Sequence, residues 1–426
     1  MSVWLIVFVI VLLALLGAPL FTIIGAFALY GFSSSNTDLS ATIIELYRIA
    51  DSPPLIAIPL FTFAGYLLAE SNSPKRFVDL ARALFGWMPG GLAIVVLMTC
   101  AFFTAFTGAS GVTIVALGGM LYPILLKERY PERFSLGLVT ASGSIGLLFP
   151  PSLPIILYGL ISAVSIDRLF VAGIIPGFIL IGVLSVYSIR TGLVADVPRT
   201  EFSWKNVLTT ARAAAWELPL PVIVIGGIYG GAFTATEAAA VTAFYVFIIE
   251  VFVYRDLKLT KDVPRVMIDS MLLVGAILAI LGTAFGLTNY FIDQQVPQKL
   301  FEIVREHISS KVTFLLILNG FLLIVGMMMD IFSAIIVIVP LILPIAREFG
   351  VNPLHLGIIF LTNLEIGYLT PPVGLNLFLS SLRFEKSILH ISRSVLIFIL
   401  LELIALLLIT YIPEFSLWLV GLLGTQ

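Results

Sequence analysis

The stretch Ile145-Gly146-Leu147-Leu148-Phe149-Pro150-Pro151 recurs 221 residues later as Ile366-Gly367-Tyr368-Leu369-Thr370-Pro371-Pro372, with five identities in seven positions. Proline lacks an amide hydrogen and disturbs the turn before it, and glycine admits backbone conformations closed to other residues. A helix carrying both is interrupted there. The same offset, without a gap, pairs Pro123-Ile124 with Pro344-Ile345. It also sets Thr107-Gly108-Ala109-Ser110-Gly111 opposite residues 328–332, inside the stretch from Gly326 to Ser333. The chain therefore carries an internal duplication. Each copy reads as a hairpin, a short loop and an interrupted helix.

The surrounding composition names the solvent. Of 426 residues, 60 % are hydrophobic and 11 % charged, and mean hydropathy is +1.12. A soluble domain averages about 45–50 % apolar and about 25 % charged residues. This much apolar surface needs lipid around it. A net charge of −2 offers no basic footprint for nucleic acid. The single Cys100 excludes an intrachain disulfide framework. The first apolar stretch, from Val3 through Pro19 to Tyr30, has no small-residue cleavage pattern and reads as a retained span. The fold class is an all-α polytopic membrane protein.

Clean spans are predicted at 3–30, 53–70, 170–189, 215–233, 235–254, 267–289 and 394–412, with two undivided apolar blocks at 91–160 and 312–382. Residues 39–51 and 75–87 read as amphipathic segments lying in the membrane interface. Placing 71–88, 127–133, 190–214, 255–265 and 383–393 inside collects 17 of the 23 Lys and Arg residues there. Both ends of 91–126 then face the same side. Its arms, 91–107 and 112–126, reach only about 25 and 22 Å at about 1.5 Å per residue, so the segment enters and returns. The second copy is reversed, because its flanks 290–311 and 347–354 fall outside. Paired interrupted helices in inverted halves are the sequence signature of a transporter binding site.

At such breaks, freed carbonyls can replace a cation's hydration shell, while half-helix N-termini attract an anion. The first break offers Ser142 and Ser144 before Gly146 and Pro150, opposite Gly108 and Ser110. The second offers Thr362, Asn363, Glu365 and Thr370 around Gly367, opposite Gly326, Asp330 and Ser333. These residues, Glu365 apart, form the candidate sodium-binding set, and Ser110, Thr113 and Asp330 are the candidate substrate contacts. Back-bonding to the preceding turn is the structural alternative for the hydroxyls, and helix capping is the alternative for Asp330. Glu217, Glu237, Glu250 and Glu402 are placed near span ends with no assigned role. Gly108-Ala109-Ser110-Gly111 also resembles the nucleophile motif of rhomboid intramembrane proteases. That chemistry needs a histidine base, and His307, His355 and His390 are all placed at loops or span ends. A passive channel is the third reading; the duplicated breaks favour alternating access instead.

Four stretches together carry a family resemblance: Ile58-Pro59-Leu60-Phe61-Thr62-Phe63-Ala64-Gly65, Phe106 to Gly111, Ile145 to Pro151, and Glu365 to Asn376. The chain resembles, over nearly its whole length, the large membrane subunit, DctM, of tripartite ATP-independent periplasmic (TRAP) transporters. The resemblance implies an elevator-type ion-transporter fold and sodium-driven import without ATP. The division it implies is scaffold and arm helices over 1–90, a first transport repeat over 91–169 (hairpin 91–126, interrupted helix 134–160) and scaffold helices over 170–289. A second transport repeat follows over 290–382 (hairpin 312–346, interrupted helix 354–382), then a C-terminal scaffold helix and tail over 383–426. It implies a small DctQ-type membrane subunit, here on a separate chain because this one begins at its own first span. It also implies a periplasmic DctP-type binding protein that delivers the substrate, a location in the bacterial inner membrane, no enzymatic activity, and no cofactor beyond the coupling ion. Substrates of such systems are carboxylates, such as C4-dicarboxylates, sialic acids and other organic acids, with ectoine-type compounds also known.

Overall fold

The computed structural model describes residues 16–35 and 52–423 without interruption, together with scattered positions between 9 and 13 and between 38 and 47. The interfacial segment expected at 39–51, and the start of the span at 3–30, lie largely outside the described residues. All regular structure among the described residues is helical. The first helices are α1 (Leu20–Ser34), α2 (Pro53–Glu70) and α3 (Ser73–Phe85). The first repeat supplies α4 (Gly91–Thr107), α5 (Ser110–Lys127), α6 (Glu132–Leu148) and α7 (Leu153–Ser162). Between the repeats run α8 (Ile166–Val194), α9 (Trp204–Ala213), α10 (Pro219–Tyr229), α11 (Ala235–Val253), α12 (Asp262–Asp293) and α13 (Val296–His307). The second repeat supplies α14 (Lys311–Met328), α15 (Ile331–Glu348), α16 (Pro353–Gly367) and α17 (Leu375–Phe384), followed by α18 (Ile388–Tyr411) and α19 (Glu414–Leu423).

The offset of 221 holds in the helix boundaries themselves. α4 and α14 end at 107 and 328, and α5 and α15 begin at 110 and 331. The same two helices end at 127 and 348, and α6 and α16 begin at 132 and 353. The two tips reach this shared geometry by different local chemistry. Gly108 closes α4 in the left-handed region at φ 64°, where glycine carries no steric penalty. Met329 is extended, and the Asp330 carboxylate caps α15 by accepting from the amides of Phe332 and Ser333, each at 3.0 Å.

Both hairpins return to where they started. Residues 90–92, Glu128 and Tyr130 line one small pocket, and Arg82 on α3 pairs with Glu128 at 2.5 Å. In the second hairpin, Lys311 donates to the carbonyl of Gly350 at 2.8 Å, and the rings of Phe314 and Phe349 stack at 4.4 Å. The interrupted helices run antiparallel. Lys386, just beyond α17, pairs with Glu132 at the start of α6 (2.6 Å), and Tyr158 on α7 donates to the carbonyl of Pro353 at the start of α16 (2.8 Å). The hairpin bases, one joined to α6 and the other to α16, therefore lie at opposite ends of the bundle. The repeat is inverted.

Close packing rests on glycine where backbones touch, as helices in lipid require small residues for van der Waals contact. Gly146 packs on the backbone of Ala101 and Ala105, and Gly367 packs on that of Gly326 and Met327. Ala105 and Gly326 are again 221 residues apart. Around this centre, α8 and α18 pack on the repeats, whereas α1, α2, α11 and α12 pack chiefly on one another.

Eight helices among the described residues are long and apolar enough to cross a membrane. The span expected at 215–233 is instead the shorter α10, which starts at Pro219. The polar segments 190–214 and 290–311 contain the helices α9 and α13. Glu217 and Glu250 are fully buried against Arg76 on α3, at 2.5 and 3.1 Å. Asp256 adds a third carboxylate at 2.8 Å, and the Tyr254 ring stacks under the guanidinium at 3.8 Å. Glu402 departs from its expected place near a span end, standing fifteenth of the 24 residues of α18.

Candidate functional site

A cavity of about 310 Å³ lies where the two hairpin tips approach each other. Residues 108–112 of the first tip and 330–332 of the second line it, and Leu147 and Tyr368, equivalent positions of the two breaks, complete the inner wall. Tyr66 of α2 and Leu273, Ala276, Ile277 and Ile280 of α12 form the opposite wall. The cavity is largely apolar, so its few polar groups determine what it can hold.

Three helix N-termini open on this space, those of α5 at Ser110, α15 at Ile331 and α17 at Leu375. The first amides of a helix have no partner within it and carry the positive end of its dipole. At α15 those amides are engaged: Ile331 donates to the Tyr368 hydroxyl, and Phe332 and Ser333 donate to Asp330. At α5 the N-cap is Ala109, which has no capping side chain, so the amides of Ser110, Gly111 and Val112 remain available. One tip thus presents free donors and the other presents a carboxylate.

The residues expected from the sequence divide between the cavity and the packing behind it. Gly108, Ser110 and Asp330 line the cavity. Ser110 is buried and donates to the Oδ1 of Asn376 at 2.7 Å. The Ser333 hydroxyl donates to the second oxygen of Asp330. Thr113 is not at the cavity: its hydroxyl is 2.7 Å from that of Thr104, which also lies 2.8 Å from the carbonyl of Gly143. Ser142, Ser144, Gly146 and Pro150 surround the first break, where the two hydroxyls donate back to the carbonyls of Val139 and Ala141 at 3.3 Å and Gly146 packs on the backbone of α4. At the second break Thr362 and Thr370 donate to the carbonyls of Ile358 and Ile366 at 2.8 and 2.9 Å. Asn363 donates to Asn319 and to the carbonyl of Ile359, both at 2.8 Å, and Gly326 packs against Leu364 and Gly367. Back-bonding uses each hydroxyl's one proton and leaves oxygen lone pairs, so these side chains keep their capacity to ligate a cation.

Tyr368, which lines the cavity, and Asn376, which binds Ser110 from behind, had no role assigned from sequence. Tyr368 stands within the repeated motif where the first copy has Leu147, and that substitution of a polar residue was the available signal. Asn376 is fully buried, holds Ser110, and keeps its Nδ2 without a partner; nothing local distinguishes it. No histidine serves Ser110, whose hydroxyl is bonded to Asn376.

The model of the family described as tripartite ATP-independent periplasmic transporter, DctM component, matches residues 4–415. A C4-dicarboxylate TRAP transporter large permease protein of Pseudomonas aeruginosa is 37 % identical over 401 residues, covering 94 % of this chain and 93 % of that protein. An isethionate TRAP transporter permease protein DctMQ of Oleidesulfovibrio alaskensis is 35 % identical over 446 residues, covering 96 % of this chain and 69 % of that protein. The crystal structure of the Alcanivorax borkumensis YdaH transporter, described as having an unusual topology, shares the fold at a TM-score of 0.65 and 14 % identity, over 89 % of each chain. The chain is a multi-pass, non-enzymatic membrane protein and belongs to the DctM family, the large permease components of TRAP transporters.

Proposed function

We propose that this subunit imports an organic anion across the bacterial inner membrane by sodium-coupled alternating access, with the cavity between the hairpin tips as the substrate seat. One observation carries the reading: the uncapped N-terminus of α5 and the carboxylate of Asp330 meet across one largely apolar cavity. The amides of Ser110 to Val112 receive the anionic group, and the Ser110 hydroxyl joins them by turning from Asn376. A carboxylate or sulfonate fits these donors, in keeping with the dicarboxylate and isethionate named for the relatives. Sodium is held behind each tip by break carbonyls and hydroxyls, Ser142 and Ser144 with Gly146 and Pro150, and Thr362, Asn363 and Thr370 with Gly367. Asp330 and Ser333 supply the charged oxygens of the second site.

The moving unit comprises both hairpins and both interrupted helices. We add α8 and α18, assigned to the scaffold from sequence, because they pack on the repeats. The scaffold is then α1, α2, α11 and α12, enlarged by a small DctQ-type membrane subunit and bathed in lipid. A DctP-type periplasmic protein delivers the solute. The test is reconstitution with a small subunit and a panel of binding proteins, with uptake measured under an imposed sodium gradient and then without it. Accumulation only with the gradient and only with one binding protein is expected. Flux that persists when the gradient is collapsed would identify a channel and overturn the proposal.

A further inference from the structure

The second break presents a phenol to the cavity where the first presents a leucine. Tyr368 lines the cavity and is 2 % exposed, and its equivalent, Leu147, has nothing to donate. Both ends of Tyr368 are fixed. Its backbone carbonyl accepts from the amide of Asn376 at 3.2 Å, and its hydroxyl oxygen accepts from the amide of Ile331 at the start of α15. A phenol also carries one proton of its own to donate. The bond from Ile331 is the only one this hydroxyl makes among the described residues, so that proton has no acceptor there. The Asp330 carboxylate, also in the lining, is engaged by other donors. Its Oδ1 accepts from the amides of Phe332 and Ser333, each at 3.0 Å, and its Oδ2 accepts from the Ser333 hydroxyl. A buried donor without an acceptor is costly. The occupant of the cavity is the group placed to supply one.

The two tips set different conditions for the two ends of that occupant. The free amides of α5 suit an anionic group. A second anionic group at Tyr368 would share the site with the Asp330 carboxylate, and like charges disfavour each other. An alkyl end would leave the phenol proton unpaired. A neutral oxygen meets both conditions. A hydroxyl meets them best, because it accepts from the phenol while its own proton turns to a remaining lone pair of Asp330. We propose that Tyr368 is a specificity-determining residue that reads a hydroxyl on the transported anion, so that the substrate class is a hydroxylated carboxylate or sulfonate. The role assigned to Tyr368 rests on the anion seat proposed above and is independent of sodium coupling. A site built to bond a substrate hydroxyl rejects the analogue that lacks it, because the polar group of the site is then left unpaired. Tyr66, a second phenol in the lining, stands on the opposite wall and serves as the control.

The test is equilibrium binding of matched probes to the purified full chain in lipid nanodiscs, in sodium buffer, read by saturation-transfer NMR. The pairs are 2-hydroxyethanesulfonate with ethanesulfonate, lactate with propionate, and malate with succinate. Wild type is expected to bind the hydroxylated member of a monoanionic pair about tenfold tighter than its partner, the scale of one hydrogen bond. Tyr368→Phe should bring that ratio to about one and leave the affinity for the partner within about twofold. Losing the phenol oxygen also frees the Ile331 amide and lowers the melting temperature. A purely structural role would weaken both members of a pair alike and keep the ratio, which overturns the proposal. Loss of the ratio in Tyr66→Phe with its retention in Tyr368→Phe overturns it too, as does tighter binding of succinate than of any hydroxylated monoanion. Equal wild-type affinity for both members of every pair overturns it whether or not the variants fold, and leaves sodium-driven uptake standing. Uptake without a sodium gradient would instead remove the coupling and leave these ratios untouched. A wild type that binds none of the probes overturns the anion seat and the role of Tyr368 together.

Discussion

At position 109 the first hairpin turns on alanine, and at the matching position 330 the second turns on aspartate. The two copies agree in every helix boundary compared above, in the glycine contacts of Gly146 and Gly367, and in the inner-wall positions Leu147 and Tyr368. They differ in what those positions offer. The first tip leaves its helix amides free, and the second engages them with a carboxylate and a tyrosine hydroxyl. The comparison teaches that backbone architecture and site chemistry are separable here. A duplicated frame puts two helix starts on one cavity, and unequal side chains make one an anion receptor and the other a negatively charged cap.

The largest effect is expected at the shared frame. A methyl added at Gly146 or Gly367 meets hairpin backbone, and such overpacking costs about 1–3 kcal/mol. Gly146→Ala and Gly367→Ala should each lower the melting temperature and reduce sodium-driven uptake at least about tenfold, since about 1.4 kcal/mol is a factor of ten. Loss in one variant alone would break the equivalence of the copies. Asp330 comes next, because removing a cap costs about 0.5–2 kcal/mol. Asp330→Ala should lower stability by that amount, and Asp330→Ser should restore stability but not sodium dependence of uptake. Full recovery by serine would reduce Asp330 to a cap and nothing more.

Ser110→Ala tests the anion side. It removes the bond to Asn376 and leaves a buried amide unpaired, a loss of about 1–3 kcal/mol, expected as a weaker substrate half-saturation with little change in sodium dependence. An unchanged half-saturation would move the anion site elsewhere.

The smallest effect concerns how the hairpins are held. The first leans on α3, which is fixed by ion pairs, whereas the second base is held by a lysine–carbonyl bond and stacked rings. Burial pushes the Asp256 carboxyl upward, but its hydrogen bonds from Asn72 and the Arg76 guanidinium bring it below the usual range. A lowered carboxyl stabilises the fold above its unfolded value, about 3.9, and that stabilisation disappears as pH falls through the lowered value. Amide exchange over α3 should quicken on acidification below about pH 4, less so in Asp256→Asn, while the base of the second hairpin remains unchanged. Equal acid sensitivity at both bases would erase the distinction.

Much of this was legible in the chain. Lipid as solvent follows from composition, and the hairpin tips and helix breaks follow from Gly108, Pro150-Pro151 and Pro371-Pro372, because proline and glycine act on the backbone at their own positions. The inverted register followed from one offset and the placement of lysine and arginine. Local reading also overreached. It placed Glu402 at a span end that lies further along.

What the tertiary structure alone decided is which polar atoms meet. Ser110 and Asn376 are 266 residues apart, and the meeting of Glu217 and Glu250 with Arg76 depends on how distant helices are rotated against one another. Helix rotation and approach are set by packing summed over many distant side chains, so no window of sequence contains them. Break positions are local properties of the backbone, which is why the chain could announce where its helices stop but not what its carboxylates face.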